Sequence, residues 1–134
     1  MSSMFDMLND VADFQEEVLE NLPESRPTLV SSKYCIGQTV LLAEEVAEFS
    51  EAAEAGNIVG VADALADVVY VALGTAYRMG LPFAEIWDAV HSANMRKIFG
   101  MNKRGVEIDA VKPKNWVGPE AAIARAINRR NNNV

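Results

Sequence analysis

The stretch from Ile58 to Met79 constrains this chain most: some twenty residues rich in Ala, Val and Leu, without a breaker pair and polar mainly at Asp63, Asp67, Thr75 and Arg78. Strands run ~4 to 8 residues, so this length predicts a helix even though its valines would suit a sheet. A helix so apolar is expected to be nearly surrounded by protein, and the flanking sequence supplies partners. Before it, Met4, Leu8, Val11, Phe14, Val18 and Leu22 recur at three and four, predicting an amphipathic helix over 4–21 that Pro23 and Pro27 end. Ser31 or Ser32 can cap a second helix over 33–55, with Leu42, Val46, Phe49 and Ala53 inward and Gly56-Asn57 as its stop. Gly80 ends the third helix; Pro82 then opens a fourth that runs to Lys97 and buries Phe83, Ile86, Trp87 and Val90.

From Gly100 to Gly118 the periodicity disappears, and Gly, Pro, Lys and Asn read as a long basic loop. Pro119 opens a short last helix over 121–130, and Asn131 to Asn133 read as a frayed tail. No strand pair and no internal repeat are evident. The expected fold class is therefore all-α: one domain over 1–134, four main helices, a long basic loop and a short C-terminal helix.

Charge bounds the partners. Twelve basic residues against 19 acidic ones give −7, which argues against a nucleic-acid surface built on phosphate neutralisation. The distribution is uneven: residues 1–67 hold 14 acids and only Arg26 and Lys33, while 68–134 hold 10 bases and 5 acids. Such a split suits a site where an anionic substrate and metal cations meet. The single cysteine, Cys35, excludes an intrachain disulfide and a Cys-based zinc site, so a reducing, cytoplasmic setting is expected. The N-terminus has no basic n-region, and the longest apolar stretch, Val68 to Ala76, is broken by Gly74 and far short of ~20 residues, so neither a signal peptide nor a membrane span is expected.

The carboxylates require chemistry. Glu44, Glu48 and Glu51 share one helical stripe, Glu45 borders it, and no Lys or Arg lies within four residues to offset their repulsion. Asp63 and Asp67 stand at i and i+4 in an otherwise apolar helix, where an ionised side chain is costly to bury. Carboxylates converging from two helices form an all-oxygen site suited to Mg²⁺ or Mn²⁺. Glu45, Glu48 and Asp67 are the expected ligands, Glu44 and Asp63 further candidates, and Glu51 and Glu54 ordinary solvated acids. A di-iron bundle needs two acid-x-x-His motifs, whereas Asp88 to His91 supplies one and His91 is the only histidine.

Glu44-Glu45-Val46-Ala47-Glu48, then Asp63-Ala64-Leu65-Ala66-Asp67 running into Val68-Val69-Tyr70-Val71, resembles the signature of the MazG-like all-α nucleoside triphosphate pyrophosphohydrolases. Gly74-Thr75-Ala76, the run His91 to Lys97, and Lys112-Pro113-x-x-Trp116 are similar to the phosphoribosyl-ATP pyrophosphohydrolase-like branch. One departure stands out: Ala64 occupies the place of an expected Glu, and the nearby acid is Asp63, one residue earlier and shorter in reach. The resemblance implies metal-dependent hydrolysis of an NTP or dNTP, dUTP among them, to monophosphate and pyrophosphate, with Glu44 or Glu45 accepting the water's proton. It also implies phosphate contacts from Asn94 and Lys97, with Arg96, Lys112 and Tyr70 as further substrate-binding candidates and Lys103, Arg104 and Lys114 studding the loop. Trp116 can stack on a base or cover the core. The alternatives are phosphoribosyl-ATP as substrate, or a bundle that binds metal and nucleotide without turnover. An apolar content of 50% further suggests a homodimer or dimer of dimers.

Overall fold

In the computed structural model, which describes residues 3–100 and 109–132, each of the first three helices starts at a side chain that accepts a free amide. Ser3 caps α1 (Met4–Glu17), and the Ser3 amide in turn donates to the Asp6 carboxylate at 2.9 Å, which holds that carboxyl below its ordinary range. Ser31 caps α2 (Ser32–Glu54) through the Tyr34 amide, and Asn57 caps α3 (Ile58–Arg78) through the Gly60 amide. The chain divides after Leu81 into two compact units, each of which has its own packing.

The first unit holds α1, α2 and α3, with α3 packed against both others. Val11 and Gln15 of α1 are buried against α3, where a Cβ on Gly74 would stand 2.8 Å from the Gln15 Nε2, so the glycine is what admits the amide. Tyr77 reaches back to Glu16 (2.8 Å); burial and that carboxylate push its phenol up to about 12, so it remains a donor at neutral pH. The end of α3 is closed by the 24–28 segment: the Glu24 and Thr28 amides donate to the carbonyls of Arg78 and Met79, and Arg78 pairs with Glu24 at 3.0 Å.

Several inward expectations are corrected. Helix α1 stops at Glu17 rather than at residue 21, because Glu20 takes a positive φ of 57° and Asn21 turns back to bond the Gln15 carbonyl, which leaves Val18 and Leu22 exposed. On α2, Val46 and Ala53 face solvent, and the half-buried face carries Leu42, Glu45, Phe49 and Ala52. Helix α3 is not surrounded: Ile58, Val59, Leu65 and Val69 are all exposed, since only α1 and α2 cover it within this unit. It is long and apolar enough by length and composition to cross a membrane, while Ala64, Leu73, Gly74 and Ala76 are its buried residues.

The second unit holds α4 (Phe83–Met95), a two-stranded antiparallel ribbon of β1 (Ile98–Gly100) and β2 (Asp109–Val111), and α5 (Glu120–Asn132). Helices α4 and α5 pack together, Ala93 and Ala126 are buried, and Arg129 pairs with Glu85 at 3.0 Å. The ribbon corrects the expectation of an unstructured loop without a strand pair; its three-residue strands are too short to show alternation. Trp87 is 51% exposed rather than buried, and α4 ends at Met95, not Lys97. Asn131 and Asn132 continue α5 instead of fraying, whereas Asn133, Lys103 and Arg104 lie outside the described residues.

Candidate metal centre

The link 55–57 folds α3 back along α2. Glu45 lies three residues after Leu42 and four before Phe49, so the apolar face that seats α2 on α3 also carries this carboxylate into the seam. Asp67 stands one turn after buried Ala64 on α3. As a result Glu45, Glu48 and Asp67 each place a carboxylate oxygen within 4.8 Å of the other two. The expected stripe of Glu44, Glu48 and Glu51 is thereby shifted: Glu45 is central, while Glu44 and Glu51 are exposed and outside the cluster. Asp63 is exposed and also outside it.

Glu45 carries the electrostatic strain. Its Oε2 is buried and has no hydrogen-bond partner among the described residues. Burial raises its carboxyl above the ordinary range, and the charges of Glu48 and then Asp67 raise it further. An unpartnered buried oxygen beside two more carboxylates fits a cation, and an all-oxygen donor set fits a hard one such as Mg²⁺ or Mn²⁺.

One helical turn along the same seam lies a cavity of about 130 Å³. Leu41 and Gln38 precede Glu45 on α2, and Tyr70 and Val71 follow Asp67 on α3, so on helices folded back on each other both displacements run the same way. Its other walls are Phe14, Gln15, Leu19, Asn21 and Tyr34. Phe14 and Tyr70 meet edge to face at 5.5 Å, and Gln38 donates to Thr75 Oγ1 at 2.7 Å. Gln15 accepts from the Asn21 amide side chain at 3.1 Å. Tyr70 is an expected substrate-binding residue, whereas the carboxamides of Gln15, Asn21 and Gln38 were not among those expected. The available signal was Gln15, a polar residue one turn after Val11 on the inward face of α1.

The other candidates lie in the second unit. Asn94 is exposed near the end of α4. Arg96 donates to the Ser92 hydroxyl and carbonyl and to the Val117 carbonyl, binding the end of α4 to the segment after the ribbon. Lys97 and Lys112 both hold their ammonium groups over the Trp116 ring, at 5.4 and 5.1 Å from its centroid.

A family model described as phosphoribosyl-ATP pyrophosphohydrolase matches residues 11–94, more than half of the chain. The match contains the three clustered acids, the whole cavity lining and Asn94, and ends before Lys97, Lys112 and Trp116. Comparison with curated proteins finds no match.

Proposed function

The chain belongs to the phosphoribosyl-ATP pyrophosphohydrolase family, and from that premise we propose that it is a divalent-cation-dependent hydrolase that cleaves a nucleotide 5′-triphosphate between its α and β phosphates and releases pyrophosphate. The observation that carries this reading is the cluster of Glu45, Glu48 and Asp67 with the Glu45 Oε2 unpartnered. A cation bound there supplies charge neutralisation and a water of lowered pKa. Glu48 and Asp67 act as ligands in this reading. Glu45 turns its unpartnered Oε2 to the same cation and is a candidate to accept the water's proton through the oxygen that the cation leaves free. Glu44 is the other candidate base. Asp63, exposed one turn before Asp67, is at most a peripheral ligand.

The family description favours phosphoribosyl-ATP as the substrate. One observation favours a second reading, a pyrimidine nucleoside triphosphate such as dUTP: the cavity one turn along the seam from the acids is small and lined by Phe14, Tyr70, Gln15, Gln38 and Asn21. Its aromatic and carboxamide walls suit a base, with Tyr70 among them, and Asn94, Arg96, Lys97 and Lys112 remain the proposed phosphate contacts. A reducing cytoplasmic setting, inferred from the lone Cys35, belongs to the same proposal.

The purified chain, incubated with Mg²⁺ or Mn²⁺ and phosphoribosyl-ATP, dUTP or the common NTPs and dNTPs in parallel, should release pyrophosphate from one of them and stop when EDTA is added. Cation binding without pyrophosphate release from any member of the panel would establish the non-catalytic alternative instead.

A further inference from the structure

The three carboxamides that line the cavity, those of Gln15, Asn21 and Gln38, differ in what fixes them. Gln15 and Asn21 bond to each other, side chain to side chain, at 3.1 Å. Turning both amides over restores the same bond, so that pair is free to present either sense. Gln38 is not. The Thr75 hydroxyl spends its one proton on the Val71 carbonyl at 2.8 Å, so the group 2.7 Å from Thr75 Oγ1 has to be a donor, the Gln38 Nε2. Turned over, Gln38 would be met by one hydrogen bond where there are now two, since Thr75 would give up Val71 to reach the amide oxygen. The Tyr34 phenol beside that hydroxyl, kept protonated by burial, can donate to its remaining lone pair without altering this count. Gln38 Oε1 therefore keeps one sense, and it has no partner among the described residues. Unlike the Glu45 Oε2 it is not sealed from solvent, which leaves it open to what enters the cavity.

We propose that Gln38, held in one sense by Thr75, selects a base that offers a ring N–H, uracil over cytosine. Uracil carries its N–H between two carbonyls and donates it to Gln38 Oε1. In the same position cytosine presents a bare ring nitrogen, so two lone pairs oppose each other, and only an amide free to turn over could pair with it. Gln38 contacts the base; Thr75 is a positioning residue. The proposal rests on the preceding reading of the cavity as a base seat, and not on the cleavage step.

The test is calorimetric binding to the full chain, with Mg²⁺, of the α,β-imido analogues of dUTP and dCTP, which resist cleavage between the α and β phosphates. The dUTP analogue should bind about tenfold or more tightly, as expected for one hydrogen bond against an opposed lone pair. Thr75→Val frees the amide and should bring the two analogues within about twofold, whereas Thr75→Ser keeps the hydroxyl and should keep the preference. Gln38→Leu should weaken the dUTP analogue about tenfold and leave the dCTP analogue near its wild-type affinity, and it carries the test if Thr75→Val fails to fold. Equal binding of the two analogues by the wild type, binding of neither, or an undiminished preference in Gln38→Leu would overturn the selection. An undiminished preference in folded Thr75→Val, or its loss in Thr75→Ser, would overturn the role of the hydroxyl. Pyrophosphate release from dUTP and dCTP at equal kcat/KM would keep the hydrolase reading and remove this one; preferential binding in a chain that releases no pyrophosphate would do the reverse.

Discussion

Glu45 concentrates the chemistry of the site in one side chain, and its titration has two consequences of opposite sign. Burial and two neighbouring carboxylates raise its folded-state pKa above the ordinary 4.5, so the folded chain holds a proton that the unfolded chain has released. Stability of the cation-free protein should therefore fall as pH rises through the window from about 4.5 to the raised value, and stay lower above it. Saturating Mg²⁺ binds the ionised form, so the stability it adds should grow with pH over the same window. Thermal melts between pH 4 and 8, with and without Mg²⁺, check both signs, and Glu45→Gln should flatten the cation-free curve. Glu48→Gln and Asp67→Asn should weaken Mn²⁺ binding about tenfold or more and abolish pyrophosphate release, because few anionic ligands share the ion. Asp63→Ala, outside the cluster, should remain close to wild type in a Mn²⁺ titration; a loss as large as that of Asp67→Asn would place Asp63 among the ligands.

At the scale of elements, the seam between α2 and α3 depends on how α3 ends. Gly80 has a φ of 69°, and a Cβ there would stand 2.5 Å from the Glu24 carbonyl oxygen and 3.1 Å from that of Arg26. Those carbonyls belong to the segment whose amides close the last turn of α3. Gly80→Ala would add left-handed strain to a backbone clash that no side-chain rotation relieves. It should destabilise the fold by about 2 to 3 kcal/mol in urea denaturation. Conversely, wild-type stability would mean that the 24–28 segment contributes little to holding α3.

At the scale of the molecule, exposed apolar side chains dominate the outer faces of the first unit: Ile36, Val40 and Val46 on α2, and Leu65 and Val69 on α3. Surface of that kind is costly to leave in water. A homodimer or dimer of dimers that covers it remains our proposal. Light scattering at micromolar concentration should give at least twice 14.6 kDa, and Val40→Glu with Val69→Glu should shift the mass towards the monomer. A wild-type mass of 14.6 kDa would refute the assembly.

Periodicity, and for α3 an apolar run too long for a strand, pointed to the four main helices, and their caps and stops followed from side chains that act within one turn: Ser31 on the Tyr34 amide, the break at Gly80, the opening at Pro82. The acids of the site were legible too, because several carboxylates without nearby cations stand out in any helical projection. Which of them converge was a tertiary outcome. Glu45 rather than Glu44 faces α3 because Leu42 and Phe49 choose the packed face of α2, and a sequence that is apolar on more than one side does not show which side will be covered. The same ambiguity exposed Val46 and Trp87, and it left Ala64 buried where the family pattern places an acid. The ribbon pairs residues 9 to 13 positions apart, and Lys97 and Lys112, 15 apart, share the Trp116 ring; three-residue strands carry too little pattern to announce such meetings in advance.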